Sequence, residues 1–153
     1  MTIRDLVRDY VLADNAVTAL GGRLYPDQLR EKTAYPAGVI LAVDVVRPNA
    51  LRQVASLARA RVQIDIYCDT NGAATGGFTG SRSAADALGT AIRRRLDGFV
   101  GKFSDTSSSP ATPVQAWVTF DLETENAEPG LSGGLSRHTA DYIVEYQTQA
   151  GAY

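Results

Sequence analysis

Few side chains in this sequence could do chemistry, and they are scattered. His138 is the only histidine and Cys68 the only cysteine. A metal site on His138 would need carboxylates at ligand spacing. The nearest, Asp141, lies three residues on in an alternating segment, which puts the two on opposite faces. A Ser-His-Asp triad can draw on distant residues, but no G-x-S-x-G turn presents a nucleophile. Asp65 and Asp121 each stand on the polar side of an alternating segment and would form an acid-base pair if those strands were neighbours. The stretch "GGFTGSRS" sets glycines and hydroxyls before a helix, where backbone amides can hold a phosphate. It lacks the closing Gly-Lys-Ser/Thr of a phosphate loop and the spacing of a dinucleotide fingerprint, so a surface loop is the expectation. Cys68 falls on the apolar side of its segment and reads as a small buried hydrophobe. Arg93, Arg94 and Arg95 fan around a helix, as a solvated face or a docking patch for an acidic protein surface or DNA backbone.

The elements that must position these groups are legible from hydrophobic period. Ile3, Leu6, Val7, Tyr10 and Val11 fall at helical spacing behind Thr2 and Asp5, a capping-box pair. A short second helix is expected after Asp14 or Asn15, closed by Gly21 and Gly22. Residues 23–36, with two Tyr-Pro pairs, read as an extended connection. Residues 37–46 are apolar on both faces apart from Asp44, as in a strand covered on both sides. Residues 47–58 fit either a short helix or a projecting loop. From Arg59 to Cys68 the alternation is strict: Ala60, Val62, Ile64, Ile66 and Cys68 on one side, Arg59, Arg61, Gln63, Asp65 and Tyr67 on the other.

A third helix spans 81–99, its stripe running through Ala84, Ala85, Leu88, Ala91, Ile92 and Leu96. In 114–124, Val114, Ala116, Val118, Phe120 and Leu122 oppose Gln115, Trp117, Thr119, Asp121 and Glu123. In 136–147, His138, Ala140, Tyr142, Val144 and Tyr146 share a face. These elements predict an α+β domain over residues 1–153: an antiparallel or mixed four-stranded sheet with helices packed on one face. Trp117 and Tyr67 then stand on the polar side, where aromatics are better explained by burial against another subunit than by water.

With 44% hydrophobic and 21% charged residues, the chain has the composition of a soluble globular protein. Its net charge of −2 argues against general nucleic-acid binding. Lys32 and Lys102 are its only lysines beside many arginines, a bias that favours defined interface contacts. No apolar run is long enough to cross a bilayer. The opening residues resemble no secretory signal, so residence in the cytoplasm is expected.

Order and spacing together resemble the tail terminator or tail-completion proteins of long-tailed bacteriophages, also called head-to-tail joining proteins. The similar segments are "LADNAVTALGGRLYP" with Gly22, Arg23, Leu24, Tyr25 and Pro26, then "RARVQIDIYC", an alanine-rich helix ending near "RRRLDGF", and the closing "SRHTADYIVEY". The resemblance implies a virion protein that forms a hexameric ring on the head-proximal end of the tail tube, stops its polymerisation and joins it to the head. Implied partners are the tail tube protein and a head connector or stopper protein, with DNA passing through the ring unread. No enzymatic activity and no cofactor or metal are implied. The "NGAATGGFTGSR" bridge and the "SDTSSSPATP" loop depart from the pattern, so no contact is carried over to them. Arg59, Arg61, Asp65, Tyr67 and Trp117 are the expected subunit or partner contacts. The alternatives are a head-completion connector beneath the portal, or a small hydrolase or nucleotide-binding enzyme using the glycine-rich bridge and the strand carboxylates.

Overall fold

A computed structural model describes residues 2–47, 49–50, 53–54, 57–69, 77–107, 109–126 and 135–147. Helix α1, Ile3–Leu12, begins on the expected capping box: the Thr2 hydroxyl accepts from the Asp5 amide at 3.3 Å and the Asp5 carboxylate accepts from the Thr2 amide at 3.1 Å. Partial burial works to raise the Asp5 pKa, but the bonds from Thr2 and the nearby Arg4 hold it below the usual carboxylate value. Its apolar stripe, Ile3, Leu6, Val7 and Val11, is buried. A 3-10 turn, Asn15–Leu20, follows with Asp14 as its cap, and Gly21 ends it in the left-handed region at φ 54°.

The strands are β1 (Leu24–Pro26), β2 (Ala37–Val46), β3 (Asn49–Ala50), β4 (Gln53–Val54) and β5 (Leu57–Cys68). After helix α2 (Gly77–Leu96) come β6 (Val100–Asp105), β7 (Thr112–Asn126) and β8 (Ser136–Gln147). Six of them form one sheet in the order β1, β2, β5, β8, β7, β6, with β1 parallel to β2 and the other pairs antiparallel. The expected four-stranded sheet with helices packed on one face is therefore corrected to a six-stranded mixed sheet rolled into a half-barrel, with strand far exceeding helix. The curl follows from the contacts of α1, which meets β1 and β2 near one margin and β6 at the other. A flat sheet would hold those margins too far apart for one helix to touch both. The two additional strands are short edge pieces whose extended state is set by a neighbour's backbone. The segment left open between helix and loop is the β3–β4 hairpin.

Two irregularities bend the sheet. In β2 the register against β5 shifts between Ala42 and Asp44, and in β7 the register against β8 shifts between Phe120 and Leu122. Both fall at one level, because Ala42 pairs with Val62, Val62 with Tyr142 and Tyr142 with Phe120. Bulges sharpen the local twist, and two in line fold the sheet along a crease beneath which Tyr142 is fully buried. The bulge at Asp121 also overturns the expected faces of β7. Leu122, expected inside, is 55% exposed, while Glu123, expected outside, turns under α2.

β2 is covered only in its first half. β1 pairs with Gly38, Val39 and Ile40 and then departs at Pro26, where Asp27 takes a positive φ of 68°. Beyond Leu41 the strand is exposed, including Val43, Val45 and Val46, contrary to a strand covered on both sides.

Helix α2 starts at Gly77, earlier than the sequence period indicates, and buries Ala85, Leu88, Gly89, Ile92 and Leu96. Gly89 is the point of closest approach to the sheet: a Cβ there would lie 2.1 Å from His138 Nδ1 on β8. Gly89→Ala is expected to destabilise the protein by about 1–3 kcal/mol, read as a lowered urea midpoint at unchanged slope. An unchanged midpoint would show that α2 sits less tightly on β8.

Candidate contact face and the groups beneath it

One face of the sheet is closed by the core and the other is open in its middle. The odd positions of β5 point to the open side, as the alternation predicts, and the pairing extends them into rows. One row crosses five strands: Val46 on β2, Arg59 on β5, Glu145 on β8, Trp117 on β7 and Val100 on β6. Val46 and Val100 are 51% and 67% exposed, and Trp117 is half-buried. Among these apolar groups stands an ionic cluster. Arg61 Nη1 donates to the Asp121 carboxylate and, at 3.2 Å, to Asp141. Those two bonds push the guanidinium pKa further above its ordinary value. The cluster ties β5 across β8 to the bulge of β7, so Arg61 spans the crease from outside.

All five sequence-predicted contact residues lie on this side of the sheet, though not alike. Arg59 is exposed and Arg61 and Tyr67 are half-buried. Asp65 is only 5% exposed and is held by Gln63 Nε2, which donates to both carboxylate oxygens at 3.1 and 3.3 Å. The Asp65 and Asp121 pairing does not form, because β8 runs between their strands.

Sequence reasoning missed the partners of His138. Its ring is 2% exposed beneath α2, and Nε2 donates to Glu123 Oε1. The other Glu123 oxygen accepts from Arg93 Nη1 at 3.3 Å, and the Arg93 guanidinium lies 3.8 Å from the centroid of Phe120. Arg95 stacks on Tyr10 at 3.9 Å. Two members of the arginine run thus cover aromatic rings rather than fanning into solvent, and of the three only Arg94 is exposed. The one local hint was Gly89 within an apolar helical stripe, a mark of close backbone approach. Nothing near Glu123 signals that a bulge turns it inward.

This cluster serves packing. It lies under a helix, and His138, Glu123 and Arg93 line neither of two apolar hollows. One, of about 620 Å³, is lined by Thr2, Ile3, Arg4, Ala42, Val45, Arg47 and Tyr146. The other, of about 340 Å³, is lined by small residues together with Pro36, Cys68, Asp69 and Leu88. Among the described residues no group of three or more His, Cys, Asp or Glu is placed to hold a metal ion. The "GGFTGSRS" stretch is helical from Gly77 onward, and its earlier part lies outside the described residues.

The half-barrel with its open face is the fold of a chain in the solved structure "Virion of native gene transfer agent (GTA) particle". The likeness has a TM-score of 0.62 over 95% of this chain and 94% of that one, at 13% identity. No curated protein sequence matches the chain. Residues 5–128 match the family model described as Tail completion protein gp17, and the chain belongs to that family of phage tail-completion proteins. Its role is structural, in virion assembly.

Two buried groups beneath the face make measurable demands. Burial pushes the Cys68 thiol up to about 11, with the Asp69 charge adding to the effect. The folded state thus keeps the thiol neutral where an unfolded chain ionises it. This contribution to stability is complete below pH 9, the ordinary value, and is lost as pH rises to about 11. Native protein at pH 8 is expected to resist thiol-reactive dyes until urea unfolds it; prompt labelling would contradict that burial. The Tyr142 hydroxyl is buried without a hydrogen-bond partner among the described residues, and burial raises its pKa. Removing an unsatisfied hydroxyl spares its desolvation, so Tyr142→Phe is expected to gain up to about 1 kcal/mol in urea unfolding.

Proposed function

We propose that the protein closes the head-proximal end of the tail tube as a hexameric ring. In this role it stops tube polymerisation and presents a second surface to the head connector. DNA passes through the ring without its sequence being read, and no bond is made or broken. Arg59, Arg61, Tyr67 and Trp117 contribute to subunit or partner contacts, while Asp65 acts from below by fixing the strand that carries them.

The observation that carries this reading is the five-strand row from Val46 to Val100. It sets exposed aliphatic side chains beside Trp117, with charges of both signs in the adjoining positions. A surface mixing large apolar groups with arginine and carboxylates is suited to heterologous contact, where one patch meets a different one on the neighbour. Membership of the tail-completion family supports the same role.

Trp117→Ala and Arg61→Glu are the test, in protein mixed with growing tail tubes and imaged by negative stain. Both variants are expected to keep a cooperative thermal transition while tubes grow past their normal length. Since Arg61→Glu places a third acid beside Asp121 and Asp141, the tryptophan variant is the cleaner of the two. Tubes capped as efficiently by both variants as by the parent would overturn the assignment of this face. A protein bound only to the portal end of heads would point to a connector beneath the portal instead.

A further inference from the structure

The rolled sheet ends in two open margins that match one another. On one side is the uncovered half of β2, Leu41–Val46, and on the other is β6, Val100–Asp105, the last strand in the order. The two stretches are equal in length. Among the described residues no strand pairs with the free side of either. Following the antiparallel pairs across the sheet, β2, β8 and β6 run in one direction and β5 and β7 in the other. Rotation about an axis along the strands would therefore bring β6 of one copy to β2 of the next in parallel. That is also how β1 lies on β2 before Pro26.

The side chains at these margins agree. On the open face β6 carries Val100, Lys102 and Ser104, all exposed, and the free half of β2 carries Leu41, Asp44 and Val46. With the two strands in parallel, the central cation meets the central anion, while Val100 falls beside Leu41 and Ser104 beside Val46. Lys102 is one of only two lysines in the chain. On the inner side, the 620 Å³ hollow opens directly beside Ala42 and Val45, so the β2 margin is not blocked from within.

We propose that β6 of one copy adds to the free half of β2 in a second copy, joining neighbours into one continuous sheet with Lys102 set against Asp44 at the seam. The proposal rests on the ring reading above and specifies the contact that closes it. Arg59 and Trp117, each one strand in from a margin, then border the seam from either side.

The experiment uses the full chain carrying Asp44→Cys and Lys102→Cys together, assembled on tail tubes and then mildly oxidised. Cys68 is left in place because it is buried. A ladder of covalent multimers on non-reducing gels is expected, absent from each single variant. Lys102→Glu alone is expected to weaken association about tenfold, since like charges replace opposite ones across the strands, and the double exchange Lys102→Asp with Asp44→Lys to recover it. Rings visible by negative stain but giving no ladder, with Lys102→Glu assembling normally, would overturn the seam and leave the ring standing. A parent that binds tube ends without forming rings would overturn both.

Discussion

One extra residue in β7 governs much of this molecule. The bulge at Asp121 reverses which side chains face inward for the rest of the strand. It throws Leu122 onto the open face and turns Glu123 under α2. Because Glu123 then holds both His138 and Arg93, the docking of the long helix onto β8 depends on that irregularity. Asp121 itself supplies the carboxylate that Arg61 grips from the other side, so the crease is fastened on both faces. The matching shift in β2 lets the bend run across the sheet instead of being absorbed within one strand pair.

That crease makes the fold a half-barrel rather than a layer. Once the sheet is rolled, α1 touches both of its margins, and Tyr10, Phe99 and Phe103 close the core between helix and β6, with Phe99 and Phe103 stacked at 5.0 Å. Helix α2 lies inside the trough against β5, β7 and β8, and the outer side of the sheet is the one proposed above to meet other copies.

The parts legible in the sequence were those with a long, regular period. The alternation from Arg59 to Cys68, the stripe of α2 and the capping box at Thr2 stand in the structure much as their spacing implies, because local periodicity records a face that stays buried along a whole element. The short strands β1 and β6 were not legible, since three to six residues, half of them polar in β6, carry too little period. Nor were the bulges, because one additional residue alters no composition and breaks no run. Parity puts Arg59, Arg61, Asp65 and Tyr67 on one side of β5, and the pairing through β8 brings Trp117 to the same side. That Asp65 is nearly buried follows from its position near the sheet's covered end, which pairing and not spacing decides.

The interruption at Val43 has a bearing on how the subunit survives alone. An open edge with exposed valines is ordinarily a template for indiscriminate backbone pairing and fibrous growth. Here the irregular spacing of the amides and the charge of Asp44 fall in the middle of that edge. Two β2 edges cannot readily zip onto one another through this stretch, where Asp44 would meet Asp44, whereas β6 brings a lysine to it. The chain thus carries a guard against amyloid-like stacking within the margin it leaves uncovered.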